Sequence, residues 1–256
     1  MTTHKRPLIL LSNDDGVYAK GIGELMDALL PVADLVVVAP DGARSGASCS
    51  ITTSAPLHCR LVEDGPELKI YVCNGTPVDC VKLGLSQVLT RRPDLVVGGI
   101  NHGDNSSVNV HYSGTMGIVT EGCLKGVPSI GFSLCSYDAD ADFSATHQYI
   151  RLITERVLEH GLPQGVCLNV NFPDTRDIHG VKICRQTFGV WVNEFYRATH
   201  PRGGEYYWMT GDYENLEPGV EGTDQWALEH GYVAVTPTQI DVTAYSLMDE
   251  LKSWGL

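Results

Sequence analysis

Residues 7–40 read PLILLSNDDGVYAKGIGELMDALLPVADLVVVAP, and this stretch decides the fold. Its two apolar runs, 7–12 and 34–40, lack the polar alternation of a half-exposed strand, which is typical of strands covered on both faces. Residues 21–30, between the runs, carry a helical pattern. A buried strand, a helix and a second buried strand in this order predict a parallel sheet wrapped by helices.

The same alternation continues beyond this first unit. Further strands are predicted at 94–101, 129–134 and 166–172, and helices at 77–89, 114–125 and 146–160. Strands and helices that alternate in this way are typical of a sheet with helices on both faces. The predicted fold class is therefore α/β, with a Rossmann-like, doubly wound, mostly parallel sheet.

Two segments interrupt the alternation. Residues 55–74 contain two β-rich pieces around Asp64-Gly65-Pro66, which predicts an inserted hairpin. Residues 181–210 are rich in Tyr, Trp, Phe and Val and contain Gly203-Gly204 as a turn signal, which predicts a long projecting hairpin. An exposed aromatic hairpin usually packs on a partner surface, so oligomerisation is expected.

A further strand at 231–237 and a terminal helix at 243–254 complete the predicted elements. We therefore expect a single domain over 1–256. Residues 1–173 would form the Rossmann-like core, and residues 174–256 would supply the hairpin and a C-terminal oligomerisation region.

The charge of the chain restricts its partners. The 256 residues carry a formal net charge of −13 at pH 7, which would repel phosphates at long range. A broad surface for a nucleic-acid duplex or an anionic membrane is therefore not expected, and a phosphorylated substrate would need a local cation. The apolar run at 7–12 is too short for a signal sequence or a membrane span, so a cytoplasmic location is expected.

The eight cysteines contain no C-x-x-C pair. This distribution fits neither a disulfide-dense secreted protein nor a zinc knuckle. Most of them lie in apolar segments, where free cysteine packs as a small hydrophobic side chain, so reduced and mostly buried thiols are expected.

Polar side chains follow the predicted strands where ligands bind in open α/β sheets. Asp14 and Asp15 follow the first strand, and two adjacent ionised carboxylates would repel each other unless a cation lay between them. Ser and Asn oxygens in the loops at 39–46 and 98–105 would complete an all-oxygen set, which favours Mg²⁺ or Mn²⁺ over Zn²⁺. Taken alone, Asn-Asp-Asp-Gly at 13–16 fits a simple turn equally well.

A second candidate feature is Ser113-Gly114-Thr115, at the start of a predicted helix. Helix N-termini bind anions through free backbone N–H groups, so this tripeptide is a candidate phosphate site, although an ordinary N-cap explains it as well. His102 and His111 are candidates for proton transfer, although solvated loop residues explain them as well, and Arg44 either neutralises phosphate or is a surface residue. Tyr206, Tyr207 and Trp208 are candidates for stacking on a base, although aromatic residues on such an arm are more often packing or interface residues.

Several blocks of the chain together resemble one known family. In chain order they are LLSNDDGVYAKGI, VVVAPDGARSGASCSIT, NGTPVDCVKLGL, LVVGGINHGDN, HYSGTMGIVTEG and GYVAVTP, which span residues 10–237. Taken together, these blocks resemble those of the SurE family, the stationary-phase survival proteins that act as 5'-nucleotidases. The chain has His102 where members often have Arg, and Ser48-Cys49-Ser50 where they often have Gly-His-Ser.

The resemblance implies a function and a set of site residues. It implies a divalent metal, one Mg²⁺ or Mn²⁺ per subunit, held by Asp14, Asp15, Ser45 and Asn101. It implies a phosphate pocket formed by Asn105, Ser113, Gly114 and Thr115. The implied reaction is hydrolysis of nucleoside 5'-monophosphates, with 3'-nucleotides and short polyphosphate as further substrates, by a homodimer or homotetramer.

For the mechanism we expect attack of water on phosphorus, with Asp14 or Asp15 as the base. A phosphatase that uses an Asp nucleophile is a rival interpretation, but adjacent aspartates lack the alternate spacing of such sites. The alternative from another class is a metal-dependent nucleotide-binding protein without turnover.

Overall fold

A computed structural model of the chain describes residues 6–256. Its strands are β1 (Leu8–Ser12), β2 (Asp34–Pro40), β3 (Cys59–Asp64), β4 (Leu68–Cys73), β5 (Leu95–His102), β6 (Ser129–Leu134), β7 (Val166–Phe172), β8 (Val181–Ile183), β9 (Gly189–Val192), β10 (Phe195–Thr199), β11 (Glu205–Met209), β12 (Asp212–Asn215) and β13 (Val233–Gln239). Its α-helices are α1 (Lys20–Leu29), α2 (Pro77–Leu83), α3 (Gly114–Leu124), α4 (His147–His160), α5 (Asp224–Glu229) and α6 (Tyr245–Ser253).

The centre of the molecule is a nine-stranded sheet in the order β3-β4-β2-β1-β5-β6-β7-β13-β8. The strands from β4 to β7 in that order all pair in parallel, whereas β3 and β13 are antiparallel to their neighbours β4 and β7. The prediction of a doubly wound, mostly parallel α/β sheet is confirmed.

Strand β1 explains why the apolar runs lack polar alternation. Ile9 and Leu11 pack into a cluster with Leu25 of α1, on one face of the sheet. Leu8 and Leu10 pack into a second cluster with Val81 of α2, on the other face. Because successive side chains of a strand point to opposite faces, a strand with helices on both sides must be apolar throughout.

The structure contains α5 and β12, which were not predicted, and it differs from the predicted elements elsewhere. Strand β13 returns to the central sheet, with Val233 and Ala234 fully buried, so part of the region 174–256 belongs to the core. The helix predicted at 77–89 ends as an α-helix at Leu83 and continues as a π-helical turn, Gly84–Val88. A side chain at Gly84 would collide with Leu10 of β1, so glycine allows the close approach there.

The projecting hairpin is present as one long ribbon, which we call the arm, but it spans residues 189–215 and not 181–210. Residues 181–183 form β8, which pairs with β13 in the central sheet. Strand β9 pairs with β12 and β10 pairs with β11, both antiparallel, and the turn at the tip contains the predicted Gly203-Gly204.

All eight cysteines are free, and only Cys49 and Cys59 among them are exposed. Within residues 6–256, no helix has the length and apolar character needed to span a lipid bilayer.

Candidate metal and phosphate site

The carboxyl ends of three adjacent strands bring the candidate metal ligands together. Strand β1 lies between β2 and β5, so the loop after β1 is flanked by the loops that follow the other two. The backbone N–H of Arg44 donates to the carbonyl oxygen of Asp14 at 2.6 Å. The backbone N–H of His102 donates to Oδ2 of Asp15 at 3.3 Å. These contacts attach both flanking loops to the aspartate pair.

A cavity of about 660 Å³ opens at this edge of the sheet. Its lining includes all four predicted metal ligands, Asp14, Asp15, Ser45 and Asn101. A volume of this size is ordinary for a small-molecule site. The side chains singled out from separate stretches of sequence therefore share one pocket.

The two carboxylates differ in their environment. Asp14 is only 4% exposed, and burial raises the pKa of its carboxyl group to about 6, although a 2.6 Å hydrogen bond from Thr115 Oγ1 opposes the rise. Asp15 is half-buried, and its pKa is also raised by burial, against the opposing effect of the His102 backbone N–H. Within residues 6–256, no arginine or lysine forms an ion pair with either carboxylate.

Asn101 is oriented so that its carbonyl oxygen remains available. Its Nδ2 donates to the carbonyl oxygens of His102 and Gly103, at 3.2 and 2.7 Å. Because both hydrogen bonds use the nitrogen, Oδ1 is the atom that can serve a cation.

These residues fit a divalent cation. Burial disfavours the charged form of both carboxylates, and neither has an arginine or lysine partner in the described residues. A positive charge between them would stabilise them. No group of three or more His, Cys, Asp or Glu side chains in the described part of the chain is arranged to hold a metal ion. A cation here would thus depend on the neutral oxygens of Ser45 and Asn101 as well, and such an oxygen set suits Mg²⁺ or Mn²⁺.

The predicted phosphate residues take up two different positions. Asn105 and Ser113 line the cavity, and Ser113 also caps α3 by accepting from the Met116 N–H at 3.0 Å. Gly114 and Thr115 lie behind the cavity wall, against Asp14. Phosphate binding by these four residues stays a prediction, but Thr115 has an observed contact with a candidate metal ligand.

Gly114 is a sensitive point of the site, because a methyl group on it would lie 2.8 Å from both Cβ and Oδ2 of Asp14. We expect Gly114→Ala to displace the Asp14 carboxylate and to lower the rate of phosphate release by about 100-fold. Gly23→Ala, in helix α1 with no atom within 4 Å of the added methyl, is the matched control and should leave the rate unchanged. Equal rates for the two variants would show that Asp14 does not require this packing.

A buried asparagine network supports Asn105. The backbone N–H of Asn105 donates to Oδ1 of Asn171 at 2.7 Å, and its Nδ2 donates to Ser133 Oγ at 2.8 Å. Nδ2 of Asn169 donates to the Asn105 carbonyl oxygen at 2.8 Å. The signal was present in the sequence, since Asn169 and Asn171 alternate with apolar residues in a strand that is otherwise buried, but the prediction missed it.

A second buried polar group, Asp224, also escaped prediction. Its Oδ2 accepts from the Ser107 backbone N–H at 2.9 Å, and its Oδ1 accepts from the N–H and hydroxyl of Thr187 at 2.9 and 2.6 Å. Ser107 has a positive φ of 49°, so this part of the loop is held in an unusual conformation. Asp224 thus joins the loop of Asn105 to the base of the arm.

The remaining candidates divide between the cavity and the surface. His102 lines the cavity, whereas Arg44 points to Asp41 and to the Asn74 carbonyl oxygen. The lining does not include His111, Tyr206, Tyr207 or Trp208. The arm residues that do line it are Trp191, Glu194, Met209 and Thr210, none of which was predicted from the sequence.

Comparisons with known proteins point to one family. The family model of the survival protein SurE matches residues 9–193. A protein of Phocaeicola vulgatus named 5'-nucleotidase SurE is 65% identical over 98% of each chain. A protein of the same name from Bacteroides fragilis is 56% identical over 99% of each chain.

A solved structure gives the same result for the fold. The crystal structure of SurE protein from Aquifex aeolicus matches with a TM-score of 0.84 and 37% identity, covering 98% of this chain and 100% of that one. The chain therefore belongs to the SurE family.

Proposed function

We propose that this protein is a metal-dependent phosphatase that hydrolyses nucleoside 5'-monophosphates to nucleoside and phosphate. The observation that carries the proposal is the convergence of Asp14, Asp15, Ser45 and Asn101 on one cavity, where no described arginine or lysine pairs with the carboxylates. The names of the full-length relatives, 5'-nucleotidase SurE, support the substrate class.

In this proposal Asp14, Asp15, Ser45 and Asn101 hold one Mg²⁺ or Mn²⁺ per chain. When bound, such a cation polarises phosphoryl oxygens and favours ionisation of a coordinated water. Asp14 is buried and engaged with Thr115, so its role is to bind. Asp15 is the less buried carboxylate, and it is the better placed of the two to accept a proton from the attacking water.

The neighbouring polar groups would stabilise the charge that develops on the phosphoryl group. Ser113 and Asn105 line the cavity beside the aspartates. The hydroxyl of Ser113 caps α3 as an acceptor, which leaves its own O–H free to donate to a phosphate oxygen. The N-terminal end of α3 adds a favourable dipole for an anion.

Phosphate release from a substrate panel tests the proposal. The panel contains AMP, GMP, CMP, UMP, 3'-AMP and short polyphosphate, each with chelator, Mg²⁺ or Mn²⁺. We expect release from the 5'-monophosphates with metal and at least about a 100-fold loss with chelator, because the cation neutralises the substrate phosphate. Metal-dependent nucleotide binding without any phosphate release would contradict the proposal and establish a binding protein.

We further infer that a second copy of the chain packs on the arm. Its exposed side chains include Phe195, Tyr196, Trp208 and Met209, each more than 60% exposed, and α6 has no buried residue. Contiguous apolar surface of this kind marks an interaction site. Multi-angle light scattering should give the mass of a dimer or tetramer, and a monomeric mass at micromolar concentration would contradict this inference.

A further inference from the structure

Besides its cluster of oxygen ligands, the cavity is lined by aromatic and apolar side chains. Its lining also contains the aromatic side chains of Tyr112, Tyr137 and Trp191, together with Met209. A nucleotide likewise has two parts, a phosphate that prefers polar partners and a base with an aromatic face. The oxygen cluster accounts for the phosphate only.

Trp191 differs from the two tyrosines in being fixed. Its indole Nε1–H donates to Oδ1 of Asn109 at 2.9 Å. The ring of Tyr213 packs against it edge to face, with 6.0 Å between centroids. Gly211 also lies close, since a methyl group there would be 3.2 Å from Trp191 Cε3.

The contacts that fix Trp191 also connect it to the loop that carries Asn105. Tyr213 donates its hydroxyl hydrogen to Ser107 Oγ at 2.8 Å, in the loop that also carries Asn105. By contrast, Tyr112 and Tyr137 are 56% and 76% exposed. With its only polar atom already engaged, Trp191 can offer a ligand nothing but its apolar face, in an orientation set before binding.

We propose that Trp191 is the stacking surface for the nucleobase and thereby determines the preference of the enzyme for nucleotides over simple phosphate monoesters. This proposal rests on the function proposed above. Stacking on an aromatic face is tolerant of base identity, because every base has such a face. The arm therefore contributes to substrate recognition as well as to the inferred contact with a second copy of the chain.

The test compares substrates with and without a base. Trp191→Ala is expected to raise KM for AMP and GMP about tenfold or more, with kcat little changed, because the lost contact is the same in the ground and transition states. Ribose 5-phosphate has no base, so its kcat/KM should change by less than about twofold. Trp191→Phe retains a face and should recover most of the affinity for AMP.

A general distortion of the site by the substitution would affect both kinds of substrate. An equal loss of kcat/KM for AMP and ribose 5-phosphate in Trp191→Ala would therefore overturn the proposal. So would a Trp191→Phe variant as weak toward AMP as Trp191→Ala.

A binding measurement decides the question without turnover. Adenosine, which carries the base but no phosphate, should quench the intrinsic tryptophan fluorescence of the wild-type protein by stacking on Trp191. Trp191→Phe should lose that quenching, whereas Trp254→Phe, at a residue 62% exposed near the C-terminus and outside the cavity lining, should keep it. Unchanged quenching in Trp191→Phe would overturn the proposal.

These measurements also separate this inference from the proposed function. If the wild-type protein released no phosphate from any substrate, the phosphatase proposal would fail. The loss or persistence of adenosine quenching in Trp191→Phe would still decide whether the base stacks on this side chain.

Discussion

Asp14→Asn is expected to lose phosphatase activity while it stabilises the metal-free protein. The substitution removes a charge from a site that is only 4% exposed, but keeps the shape of the side chain and an oxygen that can accept from Thr115 Oγ1. Loss of a carboxylate ligand should lower phosphate release at saturating Mn²⁺ by at least about 100-fold.

The stability effect follows from the sign of the pKa shift. Burial raises the pKa of Asp14 from 3.8 to about 6, so the folded state binds the proton more tightly than the unfolded state. The metal-free wild-type protein therefore loses stability as the pH rises through about 4 to 6, by roughly 2–3 kcal/mol at neutral pH. Asp14→Asn avoids this loss.

Thermal unfolding in chelator measures the difference. The Tm of Asp14→Asn should exceed that of the wild type by several degrees at pH 7.5, and the two should converge near pH 4. Asp27→Asn, which removes an exposed charge from α1, is the control and should change neither Tm nor activity. Wild-type activity in Asp14→Asn, or equal Tm values at pH 7.5, would contradict the assigned role.

Asp224→Ala is expected to produce the largest loss of stability. The carboxylate is 1% exposed and accepts from the backbone N–H groups of Ser107 and Thr187 and from the Thr187 hydroxyl. Removing it leaves these donors buried without an acceptor. At about 1–3 kcal/mol for each unsatisfied group, we expect a loss of roughly 3 kcal/mol or more.

In a chain of this size that loss lowers Tm by roughly 6–12 °C. Activity should fall as well, because the loop that carries Asn105 loses its attachment to the base of the arm. Glu229→Ala, at an exposed position of the same helix α5, is the matched control and should stay within about 0.5 kcal/mol of wild type. A Tm for Asp224→Ala equal to that of the control would show that the loop is held by other contacts.

The central sheet could be predicted from the sequence because its strands are buried on both faces. The segments 34–40 and 166–172 match β2 and β7 residue for residue. In β2 the apolar run is uninterrupted from Leu35 and bounded by polar loops, and such a run has few other structures available. The loops after β1, β2 and β5 could then be placed at one edge of the sheet, and the family resemblance selected Asp14, Ser45 and Asn101 within them.

The missed features depend on contacts between distant segments. Asp224 lies 117 residues from Ser107 in the chain, and no local pattern indicates that its carboxylate serves that loop. Trp191 was overlooked because the aromatic cluster around Trp208 carried the stronger local signal for stacking. In the structure Trp208 is 64% exposed at the arm surface, whereas Trp191 lines the cavity.

In the proposed function, Asp14 and Asp15 hold the cation on which the reaction depends. Titration of the metal-free protein with Mn²⁺, followed by the electron paramagnetic resonance signal of the free ion, tests it most directly. The prediction is one bound Mn²⁺ per chain in the wild type and none at the same concentrations in Asp15→Asn. An unchanged stoichiometry and affinity in Asp15→Asn would contradict the claim.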